Sequence, residues 1–222
     1  MLRIVIPARQ ASSRLPDKMI QKIGSKTLVE HAVDRVIEAK SLADLGLADI
    51  VLATDSMAIA ALVSEKVRVV MTPSNCRSGS DRCAAVANIE DWSDDDVIVD
   101  VQADMPFLRP QHLRKFLRSA MSGGAWDVMT AYHDLNLVEL LVDGFARKVA
   151  ICHIGLYAYR CGALRRFAAL PSSPGEIELR LEQMRAIENG FQFAYHALPE
   201  MPFEVNTPQD LEAAQHLAEC LG

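Results

Sequence analysis

Short apolar runs alternate with amphipathic helical patterns along most of this chain, and that alternation restricts the fold more than any single motif. A strand-like run followed by a helix, repeated, packs well as a mainly parallel sheet covered by helices. The first run spans residues 2–6. A helical pattern follows over 28–40, with Leu28, Ala32, Val33, Val36 and Ile37 as its apolar stripe. Further strands are expected at 49–54, 68–71 and 96–101, each leading into a helix, at 57–66, 81–89 and 110–121. The pattern loosens after Gly123-Gly124. Residues 126–132, 149–159 and 192–197 read as strands, 162–170 and 177–189 as helices, and 134–148 fits neither period. Asn206-Thr207-Pro208 opens the last helix, with Asn206 or Thr207 as its N-cap. The expectation is one α/β domain over 1–222. It is Rossmann-like, a mainly parallel twisted sheet flanked by helices, with a small second lobe formed by roughly residues 126–200.

The first strand runs into Pro7-Ala8-Arg9-Gln10-Ala11-Ser12-Ser13-Arg14-Leu15-Pro16-Asp17-Lys18. Three cations, Arg9, Arg14 and Lys18, sit here among small residues and prolines, between a strand and a helix. Backbone N–H groups and a helix N-terminus favour an anion at such a junction, and fixed cations add to both. Pro7 and Pro16 stiffen the loop, which lowers the entropy lost on gripping a ligand. The loop has no glycine before Gly24, so it is neither a P-loop nor a dinucleotide fingerprint. The plainer alternative is a solvated surface loop.

The formal charge of −6 argues against a broad nucleic-acid or anionic-membrane surface. No apolar run reaches the ~20 residues that span a bilayer, and the chain opens on a strand rather than a signal peptide, so a cytoplasmic location is the expectation. The five cysteines include no C-x-x-C pair and are read as reduced structural thiols, with a lowered pKa conceivable only for Cys76 beside Arg77.

Polar residues gather at the expected carboxyl ends of the strands, the edge where ligands bind in open α/β sheets. They are the basic loop, Thr54-Asp55, Ser78-Gly79-Ser80-Asp81-Arg82 and Gln102-Ala103-Asp104. Asp104 follows a buried-looking strand, where a carboxylate needs a partner or a cation. One carboxylate facing phosphates suits Mg²⁺. A turn-capping role before Pro106 is the alternative. Asp100 lies four residues earlier and would share Asp104's face in an extended strand. The Ser78–Arg82 turn reads equally well as helix capping by Ser80 or as a contact to a base or ribose.

These segments, in this order, resemble the 3-deoxy-manno-octulosonate (Kdo) cytidylyltransferases. Ile6-Pro7-Ala8-Arg9-x-Ala11-Ser12-Ser13-Arg14-Leu15-Pro16-x-Lys18 is similar to the family's opening signature. Leu52–Asp55, Val70–Pro73, Ser78–Arg82 and Val101–Asp104 with Pro106 fit the following blocks. His153–Arg160, Leu181–Arg185 and Val205–Leu211 resemble the last three. The resemblance implies a homodimeric, cytoplasmic, Mg²⁺-dependent enzyme of surface-glycan synthesis that joins CTP to Kdo or a related acidic sugar. It implies that Arg9, Arg14 and Lys18 hold the triphosphate, that Pro7, Ala8, Ser78 and Gln102 line the nucleoside side, and that Arg14, Lys18 and Asp104 carry catalysis. It further implies Asp104 and Asn206 as metal ligands, and His153, Tyr157, Glu182 and Gln183 at the sugar. No nucleic-acid or membrane partner is implied.

This chain departs from the family pattern at several places. Asn206 stands where the family carries an aspartate, Asp17 where it carries a glycine, and Cys76 where histidine is common. Ala103-Asp104-Met105-Pro106 replaces Gly-Asp-Glu-Pro, and the stretch between Met129 and His153 is shortened. Two further readings follow: a diverged nucleotide-binding homologue without turnover, and a nucleotidyltransferase for another sugar. Spore-coat-type relatives share the Ala-Arg-x-x-Ser-x-Arg-Leu-Pro opening.

Overall fold

The apolar stretch Leu2–Ala8 forms β1, the strand around which the molecule is organised. It pairs in parallel with β4 (Asp49–Thr54) on one side and β6 (Val97–Val101) on the other. A strand paired on both edges and covered on both faces should be largely apolar, and β1 is so apart from Arg3 near its start, which pairs with Asp49 and Asp96. The computed structural model describes residues 1–43, 49–133, 137–142, 145–150 and 154–221.

After β1 the chain makes a 3-10 turn at Lys18–Ile20 and a small hairpin, β2 (Lys22–Ile23) and β3 (Lys26–Thr27), turning at Gly24 with φ +62°. The hairpin leads into α1 (Leu28–Ala43). Then come α2 (Met57–Val63), β5 (Arg68–Met71), α3 (Gly79–Ile89), α4 (Pro110–Met121) and β7 (Val128–Tyr132). The hairpin β8 (Leu137–Val142) and β9 (Phe145–Ala150) follows, then β10 (Leu156–Arg160), α5 (Cys161–Ala169), α6 (Pro174–Leu179), α7 (Gln183–Glu188), β11 (Phe193–Ala197) and α8 (Pro208–Leu221).

Among the described residues the main sheet has seven strands in the order β11-β7-β10-β6-β1-β4-β5. All are parallel except β10, which runs against both β6 and β7. Alternation along the strands builds two cores. Ile4, Ile6, Leu52, Val97, Val99 and Val101 face α1, α4 and α8, whereas Val5, Val51, Ala53 and Ile98 face α3 and α5. Chain order runs outward from β1 through β4 to β5 and then returns to β6 on the other side of β1. That reversal leaves a crevice at the carboxyl ends of β1 and β6.

Several expectations need correction. In α1 the stripe is completed by Val29 and Ala39, while Ile37 is 37% exposed. The expected strand over 149–159 is two, β9 and β10, and 134–148 supplies most of an antiparallel hairpin. The expected helix over 177–189 breaks at Arg180, which takes a left-handed conformation with φ 54°, giving α6 and α7. The expected lobe over 126–200 contributes β7, β10 and β11 to the main sheet, with the β8–β9 hairpin and α6–α7 outside it. Among the described residues no disulfide forms; Cys83 and Cys161 are buried, and Cys152 lies outside the described residues. Burial pushes the Cys76 thiol up, with the nearby Arg82 charge acting against it, so the conceivable lowering beside Arg77 does not occur.

Candidate active site

The crevice is a cleft of about 300 Å³. Pro7 and Arg9 enter it from the end of β1, Arg14 and Lys18 from the basic loop, Ser78 from the start of α3, and Gln102 and Asp104 from beyond β6. Three segments far apart in sequence meet because parallel strands deliver their carboxyl ends to one edge. Of the nucleotide residues that the resemblance implies, Ala8 alone does not line the cleft. It is fully buried in the core beneath it.

Lys18 is the hub. It is 7% exposed, and its Nζ donates to Asp104 Oδ2 at 2.9 Å and to Asn206 Oδ1 at 3.0 Å. Arg14 donates to the same Asn206 oxygen at 3.2 Å. Arg9 is exposed and makes no hydrogen bond or ion pair among the described residues. Asp17, just before Lys18, adopts φ 52°, ψ 32°, the left-handed region where glycine is unstrained.

Asn206 does not line the cleft but reaches Lys18 and Arg14 behind it, because it is not the cap of α8. Thr207 is: its Oγ1 accepts from the Asp210 N–H at 3.2 Å, and Asp210 accepts from the Thr207 and Asn206 N–H groups at 2.8 and 2.9 Å. The Val205 N–H donates to the Asp104 carbonyl at 2.9 Å, laying this segment against the end of β6. Glu204, which sequence reasoning missed, accepts from the Asn206 amide at 3.2 Å. Burial, with the Asp104 charge adding to it, pushes the Glu204 carboxyl up to about 7, against the opposing Asn206 hydrogen bond and Lys18 charge.

The opposite wall is the start of α3. Ser78, not Ser80, is the N-cap, its Oγ accepting from the Asp81 N–H at 3.2 Å. Gly79 permits close packing there: a Cβ would sit 3.2 Å from Asp100 Oδ2 and 3.3 Å from both Gln102 Nε2 and Pro7 Cγ. Gly155 is still tighter, since a Cβ would lie 2.8 Å from that of Gln102. Beneath the wall, Ser78 and Ser80 donate to Glu182, and Ser80 Oγ lies 2.9 Å from the Tyr159 hydroxyl. Burial raises the Glu182 carboxyl pKa, while the Ser78 hydrogen bond and the Arg185 charge oppose it. Arg77 and Arg82 also line the cleft. Arg82 holds Thr72 and Asp55, and Asp55 accepts from the Gln10 N–H at 3.0 Å. The Thr54-Asp55 segment therefore braces the basic loop from behind.

Of the four sugar residues implied by the resemblance, Glu182 lines the cleft. Tyr157 is 3% exposed in β10 and Gln183 is 5% exposed on α7; neither lines the cleft. His153 lies outside the described residues. Asp100 does not share Asp104's face, because β6 ends at Val101; it points beneath Gly79 toward the α3 side.

The donor chemistry of Asp104 and its neighbours fits a hard divalent cation. Asp104 Oδ1 is shut off from solvent and accepts no hydrogen bond among the described residues, and the nearby Asn206 and Glu204 groups present oxygens. No cluster of three or more His, Cys, Asp or Glu side chains able to hold a metal occurs among the described residues.

Residues 3–139 match the cytidylyltransferase family model. The chain belongs to this cytidylyltransferase family. Among curated relatives, the 3-deoxy-manno-octulosonate cytidylyltransferase of Stenotrophomonas maltophilia (strain K279a) is 35% identical over 257 aligned positions, covering 98% of this chain and 97% of the relative. That of Xanthomonas euvesicatoria pv. vesicatoria (strain 85-10) is 35% identical, with 96% and 94% covered. The first alignment is longer than this cytidylyltransferase chain itself, so the relative carries extra residues within the matched span. A solved CMP:2-keto-3-deoxy-manno-octonic acid synthetase complexed with CTP superposes with TM-score 0.82 at 25% identity over all of both chains. A nucleotidyl transferase from Methanothermobacter thermautotroptrophicus, at TM-score 0.70 and 17% identity over 100% of this chain and 99% of its own, shares the fold.

Proposed function

We propose that this cytidylyltransferase couples CTP to Kdo or a closely related acidic sugar, giving the CMP-sugar and pyrophosphate. The observation that carries the reading is the Lys18 hub: a buried ammonium, flanked by Arg14 and by Arg9, which is unpaired among the described residues, at the carboxyl ends of β1 and β6. Ser78 and Gln102 line the nucleoside side of the same cleft, and Glu182 holds the first turn of α3 in place. The sugar's anomeric hydroxyl oxygen attacks the α-phosphorus in line. The new O–P bond forms as the bond to the bridging oxygen of pyrophosphate breaks, and the hydroxyl proton passes to solvent. Lys18, Arg14 and Arg9 neutralise charge on the phosphoryl oxygens and on the departing pyrophosphate, so catalysis is positioning plus electrostatics. Asp104 would hold Mg²⁺, with Asn206 or Glu204 beside it, and the ion would supply further neutralisation of the phosphates.

His153, Tyr157, Glu182 and Gln183 belong to this proposal as sugar-side residues on the strength of the resemblance. So do a homodimeric assembly and a role in lipopolysaccharide or another surface glycan. A cytoplasmic location goes with a CTP substrate; no described helix is long and apolar enough to cross a membrane. Pyrophosphate release from CTP, measured with Kdo, its 8-amino analogue and a sialic-type sugar, tests the assignment. Turnover with one acidic sugar is expected, and a folded protein that turns over none of them refutes it. The neutral amide at Asn206 favours a second reading, nucleotide binding without turnover, which an ordinary enzymatic rate for the wild-type protein eliminates.

A further inference from the structure

Three side chains surround the end of β6 in a way that the Lys18 contacts do not exhaust. Asp104 Oδ2 receives the Lys18 ammonium, yet Asp104 Oδ1 is shut off from solvent and has no hydrogen-bond partner among the described residues. Glu204 Oε2 receives the Asn206 amide at 3.2 Å and the Gly155 N–H also lies near this carboxyl, yet Glu204 Oε1 is enclosed and has no hydrogen-bond partner among the described residues. Asn206 Oδ1 is already shared by two cations, Lys18 at 3.0 Å and Arg14 at 3.2 Å. The enclosed oxygens without partners are thus carboxylate oxygens, and the amide oxygen is the one already occupied.

Chain geometry explains why residue 204 reaches this place. The Val205 N–H is bonded to the Asp104 carbonyl, and the Val205 side chain is fully buried in the core. Its two neighbours therefore turn to the other side, where their side chains meet. An amide oxygen ligates a hard cation but contributes no charge, whereas a carboxylate contributes both. Lys18 touches Asp104 and Arg14 touches Asn206; neither touches Glu204.

We propose that Glu204, rather than Asn206, supplies the second carboxylate that joins Asp104 in holding a divalent cation, with Asn206 orienting it through the amide hydrogen bond. The inference rests on the nucleotidyl-transfer reading, since that reaction is what calls for the ion.

The test uses Mn²⁺ alone, titrated into the full chain and followed by loss of the free-ion electron paramagnetic resonance signal. Glu204→Gln, nearly isosteric, is expected to weaken Mn²⁺ binding by more than about 100-fold, beyond the roughly 10–100-fold that loss of an outer-shell partner costs. Asn206→Ala, which removes only the orienting amide, is expected to weaken it by roughly 10-fold, clearly less than Glu204→Gln. Glu204→Gln combined with Asn206→Asp is expected to recover most of the affinity. Circular dichroism melts confirm that each variant is folded. An unchanged affinity in Glu204→Gln overturns the proposal, as does a wild-type protein that binds no Mn²⁺ at millimolar concentration. CTP affinity in EDTA, measured by calorimetry, is read separately. Its absence in the wild type counts against the nucleotidyl-transfer reading, whereas normal CTP binding with Mn²⁺ affinity indifferent to residue 204 defeats only the assignment of Glu204.

Discussion

Replacing Asp100 by asparagine should shift stability progressively in the variant's favour as pH rises. Asp100 is fully buried at the centre of the sheet, opposite Val5 of β1 and Tyr157 of β10, and neither carboxylate oxygen has a hydrogen-bond partner among the described residues. Its pKa is driven well above the ordinary 3.8, first by burial and then by the Glu182 charge, with a smaller push from Asp104 and only the Cys83 thiol acting against them. The folded state therefore holds a proton that the unfolded chain releases. For a raised pKa, stability is fully present below the unfolded value and declines as pH rises toward the folded one. The slope in that window approaches about 1.4 kcal/mol per pH unit. The amide introduced by Asp100→Asn carries no such proton, and any constant effect it has on stability drops out of the slope. As pH rises from 5 the variant should gain on the wild type by at most about 1.4 kcal/mol per pH unit, for as long as the folded state keeps the proton. The gap between urea midpoints should widen in step. Urea unfolding followed by circular dichroism at pH 5, 6 and 7 measures it. Parallel pH dependences for the two proteins would refute the claim that Asp100 is held neutral.

Three further outcomes are expected. Arg185 is 1% exposed, pairs with Glu176 at 2.6 Å, lies 3.7 Å from both Asp81 and Glu182, and packs over the Phe167 ring at 4.4 Å. Arg185→Met leaves these carboxylates without their shared cation and should cost about 3–5 kcal/mol in the same unfolding assay, and a loss below 1 kcal/mol contradicts it. Asp17→Gly relieves the left-handed backbone and removes an anion beside Lys18, so it should gain about 0.5–1 kcal/mol and tighten CTP binding, both readable in thermal shifts with and without nucleotide. Arg9→Ala removes an exposed cation that is unpaired among the described residues. It should weaken CTP binding by roughly 10-fold or more while leaving the unfolding free energy within about 0.5 kcal/mol, and equal calorimetric affinities would count against a phosphate contact.

Local pattern carried much of the molecule. The strands β1, β4, β5 and β6, helix α4 with Pro110 in its first turn, and the basic loop are all legible in residue order, because periodicity and turn chemistry act over a few neighbours. The candidate triphosphate grip was legible for the same reason: Arg9, Arg14 and Lys18 lie in one loop. Pairings across the chain were not. That Asn206 turns to Lys18 and Arg14 instead of capping α8, and that β10 inserts antiparallel between β6 and β7, depend on contacts with distant segments. The same holds for Glu204, whose place beside Asp104 comes from one backbone hydrogen bond spanning half the chain. Sequence alone determined that this chain would build a nucleotidyltransferase-like sheet with a cationic loop at its edge. The tertiary structure alone decided that Asp55 braces that loop through the Gln10 N–H and that Glu204 lies beside Asp104, because burial and charge pairing are set by where the segments come together.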